Sequence, residues 1–390
     1  MKTLITGVST RAFAESAVKS GHNVFSIDYF GDSDQKQIIE NYSLLRDFNL
    51  PSRAENLIQV SNGFDFDSVV YISNFENFPE LLEKLSGKVK ILGNSPDTLR
   101  KVRDWKILRE FMTVSNIPYP KTLLPGEESQ ACGRTGWLLK PTNSGGGSRI
   151  KAWKGERLAE NQILQKHMDG IHASAGFLAN GRKSVLIGLT AQLIGLNELG
   201  ANGFTWCGNI LPLPLERNNY LHLAGEIEKY ASLLADNFTL RGAWGIDFII
   251  AGNSREGFHP LILEINPRYT ASMEIIEAAY GLNIFSLHLR ALEGRLPDFS
   301  LARQKNNRFY GKGVIFARSK LKIGDTTAWK NRGIKDIPFC RDEIKKGYPI
   351  CTVLANNDSY TECRSKLFSM AHELRIETGD FIKQGVYSYQ

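Results

Sequence analysis

The stretch Glu264-Ile265-Asn266-Pro267-Arg268, read with the apolar run Ala243-Trp244-Gly245-Ile246-Asp247-Phe248-Ile249-Ile250 before it, decides how this chain is understood. Between the two lie residues 251–260, rich in turn formers, so two antiparallel strands joined by a loop are expected. A hairpin centred near Arg255 and Glu256 sets Asp247 opposite Glu264. Side chains alternate across a strand, so Glu264 and Asn266 share a face, and two carboxylates and one amide oxygen converge on one spot. Oxygen ligands with no nearby His or Cys suit a hard cation such as Mg²⁺, whose other positions go to water and phosphate. Arg268 faces the same way and could hold a transferring phosphoryl group. An edge hairpin with a solvated polar face would carry the same four residues, so the choice depends on the chain upstream.

At 390 residues the chain can form two or three domains with a sizeable core. Its 42% hydrophobic and 23% charged residues are those of an ordinary globular protein. Forty-eight basic residues against 41 acidic ones give a net charge of +7, spread rather than blocked. That suits anionic small ligands; no aromatic-basic nucleic-acid motif is present, so nucleic-acid binding is not expected. Cys132, Cys207, Cys340, Cys351 and Cys363 show no metal-finger spacing and read as reduced thiols, which points to the cytoplasm. The apolar start is too short for a signal peptide, and no run approaches the roughly 18 apolar residues of a membrane span.

Residues 3–6, the turn at Gly7 and the helical spacing of Ala12, Phe13, Ala17 and Val18, followed by a strand over 24–28, open a doubly wound β-α-β domain. The turn lacks G-x-G-x-x-G and is no dinucleotide fingerprint. In open α/β sheets ligands gather at the carboxyl ends of strands, where Arg11, Asn74, Glu76 and Asn77 fall, although Asn also caps turns there. After helices from Pro96 and over 107–114, the strand Trp137-Leu138-Leu139-Lys140 runs into Pro141-Thr142-Asn143-Ser144-Gly145-Gly146-Gly147-Ser148. A Gly-rich loop between strands lets backbone N–H groups close over phosphates, and a Lys at the end of the strand supplies a point charge. The Lys precedes the glycines, so this is no Walker loop. Alternating strands over 171–177 and 185–193, a helix over 220–235, the hairpin and helix over 272–292 complete a central region. Beyond Pro297 the pattern becomes a small β-rich module with one helix over 360–373.

The ordered set of Lys106, Lys140 with its Gly-rich loop, Gln165 to Met168, Asp247 and Glu264-x-Asn266 resembles the ATP-grasp superfamily over nearly the whole chain. More narrowly, Ile27-Asp28-Tyr29-Phe30-Gly31-Asp32, the segment 242–248 and Glu264 to Arg268 resemble ATP-dependent carboligases related to biotin carboxylase. The resemblance implies an α/β and α+β chain with an ATP-grasp fold. Its divisions would be a doubly wound pre-ATP-grasp domain over 1–95, the ATP-grasp domain over 96–295 and a β-rich C-terminal domain over 296–390.

The same resemblance implies ATP with Mg²⁺, or Mn²⁺ in its stead. Lys106 and Lys140 would hold the α- and β-phosphates, Gly145, Gly146, Gly147 and Ser148 the lid, and Gln165 and the Met168 backbone the adenine. Asp247, Glu264 and Asn266 would hold the metal, and Arg268 would act in catalysis. Gln165 and His172 stand where the family usually has Glu, at the adenine and the ribose. The implied reaction joins a small-molecule carboxylate to an amine through an acyl phosphate. A bicarbonate-activating carboxylase-like enzyme and a non-catalytic nucleotide-binding regulator are the alternatives, and a homodimer is the expected assembly.

Overall fold

The computed structural model describes residues 1–131, 133, 135–253, 257–304 and 307–380. Arg255 and Glu256, the expected centre of the hairpin, and Cys132 lie outside the described residues. The other four cysteines are free thiols.

Strands Thr3–Gly7 and Val24–Asp28 are buried along their whole length, as strands covered by helices on both faces must be. They belong to a parallel five-stranded sheet ordered Asn41–Ser43, Val24–Asp28, Thr3–Gly7, Ser68–Tyr71, Lys90–Ile91. This is the doubly wound opening expected from the sequence, and the carboxyl end of Ser68–Tyr71 delivers Asn74, Glu76 and Asn77.

Two helices follow, Pro96–Arg103 and Trp105–Val114. They break at Asp104, whose carboxylate accepts from the backbone N–H of Lys106 at 2.8 Å and so caps the second helix. A small antiparallel sheet comes next, ordered Thr122–Leu123, Gln162–Lys166, Trp137–Pro141, Lys151–Ala152. It has its own apolar core of Leu123, Trp137, Leu139, Trp153, Leu158 and Leu164. The Gly-rich loop leaves this sheet after Pro141.

The largest sheet has eight antiparallel strands, ordered Gly257–Asn266, Arg241–Asn253, Ile171–Asn180, Ser184–Ile194, Trp206–Leu211, Phe309–Phe316, Pro349–Asn357, Ile334–Lys335. Helix Arg217–Asn237 packs Leu223, Ile227, Ala231 and Leu234 against it beside Phe177, Trp244 and Phe248. The strands expected beyond residue 296 extend this sheet, through the pairing of Trp206–Leu211 with Phe309–Phe316. Glycines admit that junction: Gly208 faces Gly313, and a Cβ at Gly208, held at φ +152°, would lie 2.0 Å from the Lys312 carbonyl oxygen. Helix Tyr360–Thr378 then covers the extension with Cys363, Leu367, Met370, Ala371 and Leu374.

Candidate nucleotide and metal site

The hairpin forms in the expected register. Asp247 pairs with Glu264 and Gly245 with Asn266, and a bulge between Asp247 and Phe248 takes up one residue. The Asn266 amide donates to Asp247 Oδ2 at 3.0 Å, and the Gln192 amide donates to Asp247 Oδ1 at 2.9 Å. Burial, then the charge of Glu264, pushes the Asp247 carboxyl up to about 7. Burial acts on Glu264 in the same sense, but Arg103 and Lys140 outweigh it and hold that carboxyl below its usual range. Two facing carboxylates, one reluctant to ionise, with the Asn266 amide beside them and, among the described residues, no His or Cys in their hydrogen-bond network, fit a hard divalent cation that brings its own anionic ligands.

Around this pair the other elements supply cations. Arg103, the last residue of its helix, donates to Glu264 Oε1 at 2.5 Å, to Asn77 Oδ1 at 2.8 Å and to the Thr142 carbonyl at 2.6 Å. It thereby ties the end of a parallel strand, the Gly-rich loop and the hairpin together. Arg268 donates to Glu76 Oε1 at 2.7 Å, to Asn266 Oδ1 at 3.2 Å and to the Tyr269 carbonyl at 3.0 Å. Lys140 Nζ donates to Gln165 Oε1 at 2.9 Å; burial lowers its pKa while Glu264 and Asp247 oppose the fall. The His172 imidazole is pushed below its ordinary pKa, first by burial and then by the neighbouring His167 and Lys140. Met168 follows strand Gln162–Lys166 and is half-buried.

In the Gly-rich loop the Gly146 carbonyl accepts from the Trp206 N–H at 3.0 Å, and Ser148 Oγ donates to the Gly145 carbonyl at 3.0 Å. Gly147 has φ +72°, and a Cβ there would meet the Phe204 carbonyl oxygen at 1.8 Å. Its glycine is therefore required for the loop to approach the 204–206 segment.

The structure brings Glu76, Asn77, Asp247, Glu264, Asn266 and Arg268 together through hydrogen bonds and the hairpin register, with the Lys140 ammonium near enough to feel Glu264 and Asp247. Three residues behave otherwise. Arg11 is fully buried away from this network, 2.6 Å from Glu274 Oε1 and 2.7 Å from Asp336 Oδ1. It joins the first helix to the helix Met273–Tyr280 and to the C-terminal segment, because its long side chain reaches two carboxylates distant in sequence. Gln165 is 2% exposed, with its carbonyl taken by Lys140 and its amide donating to Thr122 Oγ1 at 3.2 Å. Its carbonyl holds the lysine ammonium in place. Lys106 is exposed on the first turn of its helix, and Arg103, three residues earlier, is the cation that enters the network. Neither Arg103 nor Gln192 stood out in the sequence. For Gln192 a signal existed, since Thr190 and Gln192 are polar alternates in an otherwise apolar strand; for Arg103 helical spacing offered none.

A strand-borne lysine before a Gly-rich loop on its own small sheet, set over a hairpin with facing carboxylates, defines an ATP-grasp domain. A family model described as an ATP-grasp domain matches residues 103–272, and the fold is the ATP-grasp fold. An uncharacterized protein of Methanocaldococcus jannaschii is 27% identical over 394 aligned positions, covering 93% of this chain and 92% of that one. The biotin carboxylase domain of Hydrogenobacter thermophilus 2-oxoglutarate carboxylase was solved as a dimer with MgADP, ADP and bicarbonate. It superposes with a TM-score of 0.71 at 15% identity, covering 94% of this chain and 88% of that one. An L-amino acid ligase from Bacillus licheniformis gives a TM-score of 0.63 at 15% identity, with 96% and 97% coverage. At these identities the structural likenesses speak to the fold. Among the described residues no helix is long and apolar enough to cross a membrane.

Proposed function

We propose that this protein is an ATP-dependent ligase that joins a small-molecule carboxylate to an amine, releasing ADP and phosphate. The observation that carries the reading is the facing Asp247 and Glu264 pair, with Asn266 beside it, in one contact network with Lys140 and Arg268. The ATP-grasp match and the MgADP printed for the Hydrogenobacter domain support Mg²⁺ and ATP as its ligands. Asp247, Glu264 and Asn266 would hold the metal, which when bound neutralises charge on the phosphoryl group in flight.

The chain's own residues do the rest. Lys140, held by Gln165, meets phosphate oxygens as a preset point charge, and backbone N–H groups of Gly145 to Ser148 close over them. Met168 and His172 border the nucleoside. The substrate carboxylate attacks the γ-phosphorus, the bond to the ADP oxygen breaks and ADP leaves with the electron pair. Arg268 stabilises the resulting acyl phosphate. An amine then attacks the acyl carbon, the carbon–oxygen bond to phosphate breaks, and the amine's surplus proton passes to solvent.

A second reading, activation of bicarbonate as carboxyphosphate, is favoured by the likeness to a biotin carboxylase domain over 94% of the chain. The test is ADP release from Mg·ATP with acids, amines and bicarbonate supplied separately and together. Release requiring an acid and an amine supports the ligase; release with bicarbonate alone replaces it with the carboxylase. A homodimer, by likeness to that domain dimer, is checked by light scattering.

A further inference from the structure

We propose that the acid activated at this site is a small amino acid, bound as a zwitterion between Arg268, Arg103, Asn74, Glu76 and Asn77; the inference rests on the ligase reading and names its substrate class. Five buried polar atoms on these side chains make no hydrogen bond within the protein: Arg268 Nε, Arg103 Nε, Asn77 Nδ2, Asn74 Oδ1 and Glu76 Oε2. A buried polar atom left unpaired costs about 1–3 kcal/mol, so five at one place mark a surface made for a ligand. Glu76, itself 2% exposed, pairs with Arg268 through a single bond, Arg268 Nη2 to Glu76 Oε1 at 2.7 Å. A side-on pair would have used Arg268 Nε and Glu76 Oε2 as well; here one donor and one acceptor are spare on the same pair.

The spare atoms sort by chemistry. Arg268 Nε, Arg103 Nε and Asn77 Nδ2 are donors only, and they match a carboxylate. Asn74 Oδ1 and Glu76 Oε2 are acceptors, one of them charged, and they match an ammonium. The donors are the groups tied to the metal-facing residues: Arg103 bonds Glu264 and Asn77, and Arg268 bonds Asn266. The carboxylate end of the ligand therefore faces the phosphoryl-transfer position, and its ammonium end points toward the turn after Ser68–Tyr71. Bicarbonate carries no cation for Glu76, and a simple amine has nothing for the three donors.

The experiment traps the acyl phosphate with hydroxylamine, using the full chain with Mg·ATP and matched pairs of α-amino acids and the same acids lacking the amino group. The expected result is hydroxamate from amino acids, with kcat/KM about 100-fold above that of the des-amino partner, since buried acceptors left unpaired reject the analogue. Glu76→Gln is expected to cut that preference to within about threefold. MgADP-induced thermal stabilisation verifies that the variant is folded, and Asn74→Ala provides a second, milder lesion. Hydroxamate from des-amino acids or bicarbonate as readily as from amino acids overturns the inference and leaves ATP-dependent acid activation standing. Hydroxamate from no acid at all, with MgADP still bound, overturns the ligase reading and this inference together.

Discussion

Arg11→Met tests whether Arg11 is a clamp between distant segments instead of a substrate contact. The guanidinium is completely buried, 2.6 Å from Glu274 Oε1, 2.7 Å from Asp336 Oδ1 and 3.4 Å from Glu15 Oε1. Lys312 Nζ, 2.6 Å from Glu274 Oε2, would partly compensate Glu274 after the change, whereas Asp336 would lose its closest cation. Removing one member of a buried ion pair costs about 3–5 kcal/mol. An unfolding entropy of about 2.1 cal/mol/K per residue, over 390 residues, gives about 0.8 kcal/mol per degree and hence a fall in Tm of about 4–6 °C at pH 7.

The loss depends on pH. Burial tends to raise both Glu274 and Asp336, but Arg11 and Lys312 outweigh it and keep both carboxyls below their usual range in the folded protein. Depressed carboxyls contribute stability that is present above the unfolded pKa, near 4, and lost as pH falls through the folded value. Without Arg11 the stranded carboxylates can shed their penalty by taking up protons as the pH drops. The difference in Tm between wild type and variant should therefore shrink between pH 7 and pH 4.5, and adding Asp336→Asn should recover part of it. Differential scanning calorimetry of the protein without nucleotide reads both. A loss under about 1 °C at pH 7, or one equal at the two pH values, would refute the reasoning.

Glu264→Gln removes one carboxylate charge at nearly unchanged shape, so the chain should fold while metal-dependent ADP production falls at least about 100-fold; undiminished production would sink the metal assignment. Gly147→Ala forces a Cβ onto the Phe204 carbonyl, 1.8 Å away, at a residue with φ +72°. Nucleotide affinity should drop by about tenfold, seen by calorimetric titration with MgADP, while Tm without nucleotide moves little because the loop lies outside the core. The Asp247 carboxyl is raised to about 7 by burial and Glu264, so its contribution to stability is complete below pH 4 and is lost as the pH rises through 7. Above that the free protein carries two facing charges that MgADP would relieve. The rise in Tm on adding MgADP should be larger at pH 8 than at pH 6, and the reverse order would count against the site.

Sequence alone determined the parts whose causes are local. A turn-rich segment between two apolar runs fixes a hairpin, alternation puts Glu264 and Asn266 on one face, and the spacing to Asp247 sets the carboxylates opposite each other. Buried parallel strands announce themselves as continuous apolar runs, and a lysine before three glycines marks the loop. Tertiary structure decided what depends on reach and on edges. Arg11 and Arg103 have long side chains whose partners come from segments far along the chain, Asp336 and Glu274 for one, Glu264 and Thr142 for the other, and no periodicity encodes such a meeting. Gln165 turned to Lys140 because the strand pairing sets Lys140 opposite Ile163, diagonal to Gln165 on the same face. The strands beyond residue 296 show that alternation tells a strand from a helix but not which sheet it joins. That choice fell to the free edge at Trp206–Leu211, where glycines on both sides let the two backbones come together.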